Sequence, residues 1–173
     1  MKYSNIINII LIGDNKTGKT TVFNRILKNK YDFNYTQTNG INYLASYKII
    51  NNKKIKINIW DTGIINSKHI NLYLKSINIV LLICNLNNKD TQTYILKELN
   101  NKLLENKKIY ILCNIINDKN NKLCNELIKQ IYNFNIKIII INFKNEYCQL
   151  ISFYNDIIIE ALNSNNYIKY NYT

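Results

Sequence analysis

The chain has 173 residues, 47% of them apolar and 20% charged, with a formal net charge of +12. That balance is globular rather than disordered and suits a single core, and the longest apolar run, IKIIII at 136–141, is far too short to cross a bilayer. Counts of 35 Ile, 34 Asn and 22 Lys against one Arg, two Val, two Ala and no Pro follow the bias of an A/T-rich coding sequence, so the charge reads as solvated surface and no specific nucleic-acid partner is expected. Cys84, Cys113, Cys124 and Cys148 lack CxxC spacing and indicate neither a zinc site nor a disulfide framework.

The N-terminal run NIINIILI flows straight into a Gly-rich loop, which a cleaved leader would not do, and reads as a first strand over 5–13. An amphipathic helix is predicted over 19–29. Strands over 41–51 and 54–61 follow, joined by Asn-Asn-Lys-Lys with no room for a crossover helix, so they form an antiparallel hairpin. Apolar residues at three- and four-residue spacing then mark helices over 67–76, 91–106, 120–133 and 147–162, alternating with strands over 78–86, 108–114 and 136–142. The expected class is α/β: a six-stranded, mostly parallel sheet with one antiparallel hairpin strand and five flanking helices. One domain is expected over 1–163, with 164–173 as a short C-terminal tail. Ligands of such sheets sit beyond the carboxyl ends of the strands.

GDNKTGKT, Gly13 to Thr20, lies between the first strand and the first helix and has the spacing of a phosphate-binding loop. Its backbone N–H groups, with the helix N-terminus, cradle phosphates. Gly13, Asp14, Asn15, Lys16, Thr17, Gly18, Lys19, Thr20 and Thr21 are therefore candidate nucleotide-binding residues. Lys19 would reach the β and γ phosphates, and the Thr20 hydroxyl would ligate Mg²⁺. Lys16 either helps to hold phosphate or points to solvent.

From Lys19 onward the order of motifs resembles the Rab branch of the Ras-like small GTPases, over essentially residues 5–163. YDFNYTQTNGINY resembles the first switch, INIWDTG the third strand with its Walker B aspartate, and NFK at 142–144 the motif whose backbone approaches guanine. The resemblance implies a P-loop NTPase fold of small-GTPase type, GTP or GDP with Mg²⁺ as cofactors, and a molecular switch in vesicle-mediated transport. It implies metal ligation by Thr20, Thr38 and Asp61, and hydrolytic roles for Lys19, Thr38 and Gly63. Base contacts would come from Tyr31, Asn114, Asn117, Asn142, Phe143 and Lys144. Tyr43, Trp60 and Tyr73 fall on the aromatic surface that the family presents to effectors and regulators, although Tyr43 and Trp60 are also explained by cross-strand packing alone. His69 is assigned no role.

Three departures qualify the resemblance. DTGIINSKHI stands where the family has Asp-Thr-Ala-Gly-Gln: either Ile64 and Ile65 replace Gly and Gln, or Gly63 keeps the glycine role and Ile64 replaces Gln. Both alignments lose the residue that positions water, so intrinsic hydrolysis should be slow. Second, NIIND replaces Asn-Lys-x-Asp, with Asn117 at the aspartate position and Asp118 beside it as a possible substitute if the loop bulges. Third, Arg25 lies inside the first helix, so no cis arginine finger is expected, and neither a prenylation Cys nor an N-terminal myristoylation Gly is recognised. A monomeric cytoplasmic protein that reaches membranes through partners is the expectation. The alternative is a non-cycling interaction module whose nucleotide is structural or absent.

Overall fold

The structure is a computed structural model and describes residues 3–32, 34–63, 72–115, 121–134, 136–164 and 167–169. All six expected strands form: β1 (Asn5–Ile12), β2 (Ile41–Ile50), β3 (Lys53–Thr62), β4 (Ile79–Asn85), β5 (Lys108–Asn114) and β6 (Lys137–Ile141), in the order β2-β3-β1-β4-β5-β6. Only β2 and β3 among these pair antiparallel. Asn51 and Asn52 close their hairpin with φ of 50° and 60°, the left-handed pair that a two-residue turn needs and asparagine tolerates. A seventh strand, β7 (Ile168–Lys169), lies within the expected tail and pairs antiparallel with Asn5 and Ile6.

Four helices are described in full: α1 (Lys19–Lys28), α2 (Lys89–Leu99), α3 (Asn121–Ile131) and α4 (Tyr147–Asn163). The helix expected over 67–76 is helical at 72–74, and 64–71 lie outside the described residues. The helix expected over 91–106 stops early. The Asn100 side-chain amide donates to the Leu96 carbonyl and the Asn101 carboxamide accepts from Leu103 N, so asparagine side chains divert the backbone into a separate 3-10 turn over Lys102–Leu104.

Isoleucine-rich strands covered on both faces create two cores. Ile7, Ile9 and Leu11 meet Val22 and Phe23 of α1 and Leu150, Phe153 and Ile157 of α4. On the other face Ile10, Ile12, Val80 and Leu82 meet Leu74, Ile77, Ile95 of α2 and Leu127 of α3. The parallel strands all end at one edge, which fixes where the Gly13–Thr20 loop emerges.

A hydrogen-bonded chain crosses the second face. Tyr43 Oη donates to Asn58 Oδ1 at 2.8 Å, Asn58 Nδ2 to Asn8 Oδ1 at 2.8 Å, and Asn8 Nδ2 to the Ser76 carbonyl at 2.8 Å, while Asn78 Oδ1 accepts from Asn8 N at 2.8 Å. Asn8 and Asn58 are both buried. Asn58→Leu would leave Asn8 Oδ1 without its donor, so it should cost about 1–3 kcal/mol in urea denaturation. Tyr43→Phe, whose lost hydroxyl water can replace, should cost less than about 1 kcal/mol in the same measurement.

Candidate functional site

Close approaches at two glycines, one in the loop after β1 and one just past β3, shape the site. Gly18 has φ of 100°, and a Cβ there would lie 2.9 Å from the Phe143 ring, so only glycine fits between helix α1 and the 142–145 turn. At Gly63 a Cβ would lie 1.9 Å from the Thr38 carbonyl oxygen, and Gly63 N donates to the Gly40 carbonyl at 2.9 Å. The segment carrying Thr38 is thereby laid against the end of β3.

Lys19, buried, donates through Nζ to the carbonyls of Gly13 at 2.9 Å and Asp14 at 2.7 Å, so its ammonium is wrapped by its own loop. Burial holds its pKa below the ordinary lysine value, against the opposing charges of Asp61 and Asp14. Thr20 Oγ1 donates to Asp61 Oδ2 at 2.8 Å and lies 3.0 Å from Thr38 Oγ1. Asn42 Nδ2 reaches the same carboxylate oxygen at 3.4 Å. Asp61 is fully buried, and burial pushes its pKa above the usual carboxylate value despite those bonds and Lys19.

Asp61 Oδ1 is buried with no hydrogen-bond partner. An orphaned carboxylate oxygen beside two hydroxyls is an incomplete hard-oxygen donor set. It fits Mg²⁺, which takes one or two protein carboxylates and completes its shell with water and substrate phosphates. Among the described residues no cluster of three or more His, Cys, Asp or Glu offers an all-protein cage.

A cleft of about 240 Å³ opens over this arrangement. It is lined by Asn15, Lys16, Thr17, Gly18, Lys19, Thr20 and Thr21 from the loop, by Tyr31, Thr38 and Gly63, and by Asn114 at the end of β5. Lys16, with φ of 58°, places its ammonium 5.6 Å from the Tyr35 ring centroid. Asp61, buried and bonded to Thr20, lies behind that lining.

The side of the cleft beside Asn114 has its own framework. Asn114 Oδ1 accepts from Phe143 N at 3.2 Å, and the buried Phe143 ring supports Gly18. The Asn142 side chain is spent within the turn, accepting from Lys144 N at 3.1 Å and Asn145 N at 3.2 Å. Asn117 and Asp118, like Ile64 and Ile65, lie outside the described residues. Tyr43 and Trp60 stack with centroids 5.2 Å apart, and Tyr43 and Tyr73 are exposed.

Sequence reasoning missed Arg25 as an organiser of this side. Its guanidinium donates to the Phe143 carbonyl at 3.2 Å and to the Lys144 carbonyl, and lies 5.2 Å from both the Tyr31 and Tyr147 ring centroids. A planar fork that both stacks and donates is what lysine cannot supply. The one arginine among 22 lysines was the available signal.

The family model described as "Ras of Complex, Roc, domain of DAPkinase" matches residues 8–118. Curated proteins give partial matches. The chain is 34% identical over 96 residues to the Ras-related protein RabV of Dictyostelium discoideum, covering 52% of this chain and 40% of that protein. It is 40% identical over 60 residues to RabY of the same organism, covering 35% of this chain and 25% of that protein. Against the Ras-related protein SEC4 of Saccharomyces cerevisiae the identity is 37% over 61 residues, 35% of this chain and 28% of that protein. The matched stretches thus span 25–40% of the length of these relatives.

The raised pKa of Asp61 has a thermodynamic sign. The folded state binds the Asp61 proton more tightly than the unfolded state, so the Asp61 contribution to stability is present below the unfolded value of 3.8 and is lost as pH rises through the folded value. Asp61→Asn should therefore raise the stability of the ligand-free protein at neutral pH relative to wild type. The gain should vanish below the unfolded pKa, as read by urea denaturation at both pH values.

Proposed function

Because the chain belongs to the family of Roc and Ras-like GTPase domains, we propose that it is a Rab-type guanine-nucleotide switch with Mg²⁺ as cofactor and slow intrinsic GTP hydrolysis. The observation that carries this reading is a buried Asp61 with an orphaned Oδ1, bonded to Thr20, which itself meets Thr38, and lying within the field of the Lys19 charge. Two desolvated charges of opposite sign flank the cleft, each disfavoured where it stands, and a phosphate chain with its cation would satisfy both. Thr20, Thr38 and Asp61 would hold Mg²⁺, which supplies charge neutralisation at the phosphate oxygens when bound.

Lys19 would exchange its loop carbonyls for β and γ phosphate oxygens, and the backbone N–H groups of 14–20 would donate to the remainder of the chain. Tyr31 would cover the base or ribose, with Asn114 and the backbone of 142–144 at its edge. Asn117 offers guanine one acceptor where a carboxylate offers two, so discrimination among purine nucleotides should be weaker than an aspartate would give. Gly63 N would turn from the Gly40 carbonyl toward the γ phosphate, and Thr38 would release or hold its segment according to the nucleotide. The output would be the surface of exposed Tyr43 and Tyr73 with half-buried Trp60, read by an effector in vesicle-mediated transport.

Hydrolysis is the weak step. Neither Ile64 nor Ile65 can orient water, and the guanidinium of Arg25 is occupied on the base side. Those isoleucines and Asn117 favour a second reading, a non-cycling interaction module. The nucleotide that co-purifies, identified by chromatography after denaturation, separates the two once its exchange is followed: GTP or GDP that exchanges with added nucleotide supports the switch, and no nucleotide, or one that does not exchange, supports the module.

Lys19→Ala should weaken a fluorescent GTP analogue by about 1.5–3 kcal/mol, roughly ten- to a hundredfold in Kd, in an equilibrium titration. Unchanged affinity would mean that the loop does not hold phosphate. Single-turnover hydrolysis should run no faster than about 10⁻⁴ per second, the slow intrinsic range of such proteins.

A further inference from the structure

The far end of the β2–β3 hairpin lies away from the cleft, and the Rab-type reading gives it no task. Along one face of the hairpin the register sets Tyr47 beside Lys56 and Ile49 beside Lys54. Lys54 Nζ lies 4.6 Å from the Tyr47 ring centroid and Lys56 Nζ 5.5 Å from that of Tyr3, with the two rings 6.5 Å apart. Tyr47 is 52% exposed, and Ile49, two residues before the turn, is 77% exposed. Lys53 is exposed beside the turn. No Asp or Glu occurs in the sequence between Asp32 and Asp61, and among the described residues none of these lysines has a carboxylate partner.

We propose that this face, Tyr3, Tyr47, Ile49, Lys54 and Lys56, with Lys53 beside the turn, docks the protein directly on an anionic bilayer surface. The charge is complementary: ammonium groups without local acidic partners are attracted to acidic headgroups. The side chains also suit the depth of an interface. Tyrosine rings sit at the headgroup level, long lysine stems cross it, and an unpartnered isoleucine beside a projecting turn enters the acyl boundary. Single-stranded nucleic acid is a poorer fit, because base stacking needs ring faces that Lys54 and Lys56 already cover. A peptide adding to the edge of β2 would pair with backbone and would leave Ile49, which stands out from the sheet face, uncovered.

The docking fixes an orientation. From Lys54 to Asp61 the strand runs about 23 Å at roughly 3.3 Å per residue, so the phosphate loop would face away from the bilayer. Tyr43 and Trp60 lie between, clear of the headgroups and open to a partner.

The test is co-sedimentation of the full chain with phosphatidylcholine vesicles, with and without phosphatidylserine. Partition should appear only with phosphatidylserine. Lys54→Gln/Lys56→Gln should lower it by about thirtyfold, and Ile49→Ser by about tenfold. A control pair on other elements, Lys102→Gln/Lys129→Gln, should lower it by no more than about threefold. Urea midpoints and nucleotide affinity should match wild type in all variants, which separates this docking from folding and from the nucleotide site. The proposal is overturned by no partition onto phosphatidylserine vesicles, by wild-type partition of the hairpin variants, or by an equal loss in the control pair. It is equally overturned if the lysine pair matters while Ile49→Ser does not, since that is plain attraction to any polyanion.

Discussion

Two charges that the fold desolvates govern the rest of the site. Lys19 and Asp61 each carry a burial penalty that local hydrogen bonds only partly offset. Folding tolerates them because they share a neighbourhood, each damping the cost of the other, and because the loop carbonyls of Gly13 and Asp14 and the hydroxyl of Thr20 are at hand. What stays uncompensated is one carboxylate oxygen. Under the proposed function, a ligand that brings both negative oxygens and a cation would relieve that imbalance.

The glycines and the lone arginine serve that edge in different ways. Gly18 and Gly63 allow backbone to approach where any side chain would collide, so the phosphate loop can rest on the Phe143 ring and the Thr38 segment can lie on the end of β3. Arg25 works at longer range. From α1 it grips the 142–145 turn and the ring of Tyr31, so both are tied to the element that starts at Lys19.

Much of this was legible in the sequence, for identifiable reasons. The strands stand out as isoleucine runs because both sheet faces are covered, and Asn-Asn announces its own turn. Lys19, Thr20, Thr38 and Asp61 were readable from motif order, and the structure brings them together. The early end of α2 was not readable, because whether an asparagine side chain diverts the backbone depends on what surrounds it. Arg25 was hidden by its partners, 118 and 119 residues away in the chain. The Lys–Tyr face escaped a search for helical spacing because its interleaving runs across strands, visible only once Tyr47 is seen beside Lys56.

The buried amides of Asn8 and Asn58 have a consequence for the strands themselves. In β1, apolar at most positions on both faces, the side chains carry little information about which residue belongs opposite which. Asn8 stands directly across from Asn58 in the parallel ladder. Sliding either strand by one position sets an amide against isoleucine and leaves two buried polar groups unpaired, at about 1–3 kcal/mol each. The pair acts as an address mark in a monotonous text. That alignment puts Asp61 beside Leu11, three residues further along both strands, and so decides that the carboxylate arrives where the phosphate loop begins.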